Sequence, residues 1–235
     1  MFTSLKRERN YIHIKDKEFK MNPELLRTIH VSMEIVYPPI NNLDKSILTS
    51  LYADISRRYE YDSFNLLPNG AQMTNNTGSL LRVSGDRISF QEDNLQADIQ
   101  IYKEKFFDIL EMMKKLVPMP AYLFQVVILR ALWPQSPGEN SRDYLMNRFF
   151  QFSPDDLARL GRPVAGSGLR VNMPSSDEVF DLKIEPWFRD VSQMFVELRG
   201  EYPVPVNDLQ VLQDRIDKVY TFLFQNVSSF VSNKS

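Results

Sequence analysis

The chain has 235 residues, of which 43% are hydrophobic and 12% aromatic, enough to build a sizeable core and too much core-forming material for a disordered chain. Lys and Arg number 28 against 30 Asp and Glu, a net charge of -2, so no global field gathers nucleic acid or anionic lipid. There is no cysteine, which excludes disulfides, thiolate metal sites and a cysteine nucleophile. The two histidines, His13 and His30, are too few for a histidine-rich metal site, and a Ser-His-Asp triad would have to use one of them.

Residues 1–25 read as an arm. Lys6, Arg7, Arg9, Lys15, Lys17 and Lys20 outnumber Glu8, Asp16 and Glu18, and Tyr11, Ile12 and Ile14 suit a short strand. A loosely docked terminus is the plain reading, with a nucleic-acid arm using Lys6, Arg7 and Arg9 as the alternative. The first 20 residues lack the apolar stretch of a secretory signal, and no run approaches a spanning helix. A cytoplasmic chain with no membrane partner is expected.

Ile29, Val31, Met33, Ile35 and Tyr37 alternate with His30, Ser32 and Glu34, the period of a strand that Pro38-Pro39 stops. Asn42 or Asp44 can cap a helix with Ile47, Leu48, Leu51 and Ile55 on its buried stripe. Tyr61 to Met73 reads as one strand interrupted or turned at Pro68-Asn69-Gly70. Asn75 to Gly78 is a turn, and Ser79–Val83 and Arg87–Phe90 flank another. Tyr102, Phe106, Ile109, Leu110, Met113 and Leu116 fall at helical spacing, with Glu104, Lys105, Glu111, Lys114 and Lys115 on the other face and Pro118 and Pro120 beyond the end. Residues 122–133 are apolar on both alternating faces, the pattern of a strand covered on both sides.

This order, β-α-β-β-α-β, is that of a ferredoxin-like unit. Its last strand then needs a second layer, which residues 136–235 are expected to supply. Pro134 to Asn140 has the composition of a linker. Arg142 to Phe152 suits a short helix, and Ser153-Pro154-Asp155-Asp156 suits a helix start. Gly161 to Gly168 is loose. Strands follow at Leu169–Met173, Phe180–Ile184 and Met194–Leu198, the last closed by Gly200 and Pro203. Asn207 or Asp208 caps a long terminal helix with Leu209, Leu212, Ile216, Val219, Leu223, Val227 and Phe230 in its stripe. The expected class is therefore α+β: an arm at 1–25, a ferredoxin-like half at 26–135 and a β-rich half at 136–235 closed by a long C-terminal helix, sharing one body.

Four stretches carry a family resemblance: the strand Ile29–Tyr37, the hairpin Leu81–Phe90, the run Phe180–Glu185, and Ile216, Tyr220 and Phe224 in the terminal helix. In order and spacing they resemble a sporadically distributed family of uncharacterised prokaryotic proteins of about this length, over residues 25–231. The resemblance implies the architecture and no catalytic residues.

The sharpest enzymatic pattern is Pro154-Asp155 followed by Asp181-Leu182-Lys183, with Glu185 on the same strand face. Two carboxylates holding Mg²⁺ and a lysine placing the attacking water would make a nuclease. The plain alternative is alternating charges on an exposed strand. His30 suits an acid or base, or a hydrogen-bonded structural histidine. No Gly-x-Ser-x-Gly nucleophile motif and no Gly-Lys-Ser/Thr phosphate loop occurs. An RNA-binding sheet would need exposed aromatics on its central strands, where this chain has core-type aliphatics. The terminal helix, with Tyr220, Phe222, Phe224 and Phe230 beside its stripe, is the best interaction candidate. With no site chemistry standing out, the chain reads as a non-catalytic protein-protein interaction or assembly protein. It would bind a protein partner or itself and use no cofactor or metal. The alternative is a nucleic-acid-binding protein or Mg²⁺-dependent nuclease.

Overall fold

A computed structural model describes residues 23–40, 43–95, 98–150 and 152–233; the basic arm, with Lys6, Arg7 and Arg9, lies outside the described residues. The strands are β1 (Arg27–Val36), β2 (Ser63–Leu67), β3 (Gly70–Thr74), β4 (Ser79–Ser84), β5 (Arg87–Asp93), β6 (Phe124–Pro134), β7 (Leu169–Pro174), β8 (Val179–Pro186) and β9 (Gln193–Tyr202). They form one antiparallel sheet in the order β2-β3-β4-β5-β1-β6-β9-β8-β7. The helices are α1 (Lys45–Ser56), α2 (Ile99–Leu116), α3 (Ser141–Leu145), α4 (Pro154–Ala158), α5 (Leu209–Thr221) and α6 (Ser228–Ser232). A π-helical turn, Met146–Phe150, continues α3, and another, Phe222–Val227, joins α5 to α6.

Local signals explain the helix ends. The Asp44 carboxylate accepts from the Ser46 and Ile47 amides at 2.9 and 3.0 Å, which settles the cap of α1 on Asp44. Asp98 caps α2 and Asp208 caps α5 in the same way, at 2.8 and 2.9 Å to Gln100 and Gln210. Leu48, Leu51 and Ile55 of α1, Phe106, Ile109, Leu110 and Met113 of α2, and Leu212, Ile216 and Val219 of α5 are buried in one cluster with Val31, Met33, Ile35, Phe90, Leu129, Trp133 and Leu198 of the sheet. These sheet residues share one face by the period of two. Lys103, itself buried, reaches Asp217 at 2.6 Å and pins α2 to α5.

Four expectations need correction. The single strand expected over 61–73 is the hairpin β2–β3. Gly70 turns it where a Cβ would stand 2.0 Å from the Val83 carbonyl oxygen, so no larger residue fits. Gly200 does not close the β9 run. It lies inside the strand, where a Cβ would meet Val219 of α5 at 2.6 Å, and the bare backbone lets the helix approach. The helix expected over 142–152 becomes α3 and a π-helical turn. Lastly, β7–β9 do not stack on the first half as a second layer. They extend the sheet itself, β9 pairing with β6 along Gln125–Pro134. On the face of β6 away from the helices, Val126 and Leu132 are buried and Ile128 is half-buried, and none of the three belongs to the core cluster.

Candidate functional site

Three places concentrate side chains with binding or chemical potential. The first is the sheet face turned away from the core. A β-bulge at Ile29 shifts the β1–β6 register, so that Thr28 pairs with Ala131 and His30 with Arg130. His30 thereby enters a transverse row of polar residues: Asp93, His30, Arg130, Glu197, Lys183 and Arg170, each paired with the next across six strands. His30 Nδ1 stands 2.6 Å from Asp93 Oδ1, and Gln91 donates to the other Asp93 oxygen at 2.9 Å. Arg130 Nε donates to Glu197 at 2.5 Å. Burial pushes the His30 pKa below 6.5, helped by Arg130 and opposed by the Asp93 hydrogen bond and charge. The Asp93 carboxyl is held below its ordinary value: burial works against this, and the hydrogen bonds from His30 and Gln91 outweigh it. His30 is thus a neutral, hydrogen-bonded residue at neutral pH, 4% exposed, with its carboxylate partner at the rim.

The second place lies on the opposite side of β5. Ile88, Phe90 and Glu92 share the covered face, which puts the Glu92 carboxylate, 6% exposed, beside the core. Lys105 Nζ pairs with Glu92 Oε1 at 2.6 Å, and Ser79 donates to Glu92 Oε2 at 2.6 Å. The ammonium stands 4.6 Å from the centre of the Tyr61 ring, 5.4 Å from Phe90 and 5.6 Å from Tyr59. This cluster floors a cleft of about 510 Å³ between residues 58–60, α2 and the Asn75–Ser79 turn. Its charges cancel, and each charged group is spent on another member, so it holds the structure together. Lys105 was expected on the solvent face of α2. It is half-buried because it answers Glu92, and the shared parity of Ile88, Phe90 and Glu92 is the signal that places that carboxylate inside.

The third place is the C-terminal helix. Of the four aromatics expected to form a contact surface, Phe222 packs on Phe180 with centroids 4.8 Å apart, and Tyr220 stacks on Phe224 at 4.3 Å. Phe230, 41% exposed, meets Phe149 at 5.7 Å. Phe222 and Phe230 line one apolar groove of about 230 Å³ with Val171 and Met173 of β7, Leu182 of β8, Asn226 and Val227. Tyr220 and Phe224 do not line it. β7 is the last strand of the sheet. Its core-side residues Leu169, Val171 and Met173 are half-buried, because the helix covers them on one side alone.

The candidate nuclease residues do not converge. Asp155 sits in the first turn of α4, where Ser153 and Asp156 form the capping box. Asp181 is held by Arg170, with Nε 3.0 Å from its carboxylate, and Lys183 by Glu185 at 2.9 Å. Among the described residues no three His, Asp or Glu side chains are grouped to hold a metal ion, and no helix is long and apolar enough to cross a membrane.

No protein-family model matches the chain, and no curated protein matches it. Among solved structures, the aspartate kinase of Clostridium acetobutylicum aligns with 83% of this chain and 33% of its own, at 10% identity and a TM-score of 0.22. The chain spans about a third of that enzyme's length, and so loose a superposition carries no argument about activity.

Proposed function

We propose that this is a non-catalytic protein-protein interaction or assembly protein that docks a protein segment at the groove between β7, β8 and the C-terminal helix. The observation that carries the reading is the juxtaposition there of an edge strand with half-buried apolar residues and an apolar groove beside it. An added strand would satisfy the edge backbone and cover Leu169, Val171 and Met173 at once, the mode of β-augmentation. The polar clusters support a non-catalytic role, since their charged members pair internally. The strand order β6-β1-β5-β4 with α1 and α2 supports a ferredoxin-like unit, enlarged by the β2–β3 hairpin on one side and by β9-β8-β7 on the other. A cytoplasmic setting suits the cysteine-free composition.

The reading is tested at the groove. An apolar dye such as anilinonaphthalene sulfonate should bind there in the free protein, and Val171→Lys should reduce that binding several-fold with an unchanged far-UV circular dichroism spectrum. Where a protein segment already fills the groove, the β7 amides should resist hydrogen exchange instead. A groove that neither takes the dye nor shows protected β7 amides overturns the reading.

A further inference from the structure

Resting on that reading, we infer that the occupant of the groove is a second copy of this chain, joined β7 to β7 about a twofold axis through Val171. The strand Leu169-Arg170-Val171-Asn172-Met173 is self-complementary in this antiparallel register. Val171 faces Val171 of the second copy, Leu169 faces its Met173, and Arg170 faces its Asn172. All three apolar residues lie on the core side. Every apolar residue therefore meets an apolar one, and a slip by one residue would turn them to the opposite face of the other copy's sheet.

The charges agree with this register. Arg170, 74% exposed, already pairs with Asp181. Asn172 is the register partner of Asp181 on β8. Across the axis, Arg170 of the second copy stands beside Asn172, one strand from Asp181, so two arginines and two aspartates alternate about the axis. No like charges stand directly opposite. A slip of two residues, centred on Asn172, would instead set Arg170 against Pro174 and Leu169 against Ser175, keeping only the Val171–Met173 match and losing this alternation. Pairing of this kind is isologous and closes at two copies, carrying one continuous sheet through both. Val171 and Met173, half-buried in the single chain and lining the groove, then leave solvent at the seam.

The native chain has no cysteine, so a single introduced thiol reports on the register without background. Light scattering after size exclusion, across a range of protein concentration, should give twice the monomer mass as the limit. Val171→Lys should weaken the dimer by about tenfold or more, with a native circular dichroism spectrum. Val171→Cys should form an intermolecular disulfide under mild oxidation, since directly paired Cα atoms are about 4.5–5.5 Å apart, within disulfide reach. Arg170→Cys should not, because the two copies of that position lie about 8 Å apart in this register. Cross-linking through Arg170→Cys and not Val171→Cys overturns the register. A mass that keeps growing beyond two copies overturns the twofold pairing in favour of head-to-tail contact with the β2 edge. A wild-type monomer at every concentration overturns the second copy as occupant. If that monomer still binds the dye at the groove, the docking reading survives, and if it does not, both fall.

Discussion

Val31, Met33 and Ile35 of β1 are 0–1% exposed, while Ser32 and Glu34 between them are half-buried. The covered face joins α1, α2 and α5 in one apolar cluster. The uncovered face carries ladders of charge such as Asp93-His30-Arg130-Glu197-Lys183. Adjacent residues of β5 make the contrast sharpest. Glu92 is buried against Lys105, whose ammonium stands over three aromatic rings, and Asp93, one position on, sits at the rim with His30. The same residue type has a different consequence on each face, because a buried charge must be paired and a solvated one need not be.

That contrast sets a scale of effects. On the covered face, Phe106→Ala removes a ring that contacts Phe90 and Phe107 and is 0% exposed. It should cost about 3–5 kcal/mol in urea denaturation. A loss below about 1 kcal/mol would mean that α2 is not seated there. Next comes the pair built on the buried Glu92. Lys105→Met strands Glu92 beside the core and should cost about 3 kcal/mol, and adding Glu92→Gln should recover part of the loss. Simple additivity of the two changes would break the pairing.

The uncovered face should respond to pH more than to truncation. The folded pKa of His30 lies below the unfolded value of 6.5, so the unfolded chain takes up the proton first. This contribution is complete above that value and declines as pH falls beneath it toward the folded pKa. Asp93→Asn removes groups that raise the His30 pKa, so its proton NMR titration should move further down. An upward move would show that the Asp93 contact is not the one described. Smallest of all, Arg130→Ala, which breaks a partly exposed pair with Glu197, should cost less than about 1 kcal/mol and fade with added salt.

Much of the architecture was legible because it is local. Asp44 and Asp208 stand where a cap was expected. The spacing of Phe106, Ile109, Leu110 and Met113 is that of a half-buried helix, and the alternation from Val31 to Ile35 is that of a strand with one covered face. The candidate groove was legible in part. Phe222 and Phe230 do line a groove, while Tyr220 and Phe224 stack on one another beside it. The Asp181-Leu182-Lys183 pattern dissolved into ion pairs with Arg170 and Glu185, because period-two alternation of charges on a strand is what an uncovered sheet face needs in any case.

Periodicity and capping residues by themselves determined β1, α1, α2 and α5 and the apolar stripe each buries, since these depend on neighbours one to four positions away. They could not decide that β9 would pair with β6 and carry the sheet onward instead of forming a second layer, because an apolar strand reads alike beneath a helix or beneath another sheet. The tertiary structure decided this through Gly200, whose missing side chain lets α5 lie on β9 and cover the extended sheet from the same side as α1 and α2. It also decided that β7 would be left at the edge, half-covered by the C-terminal helix, beside the groove for which we propose docking.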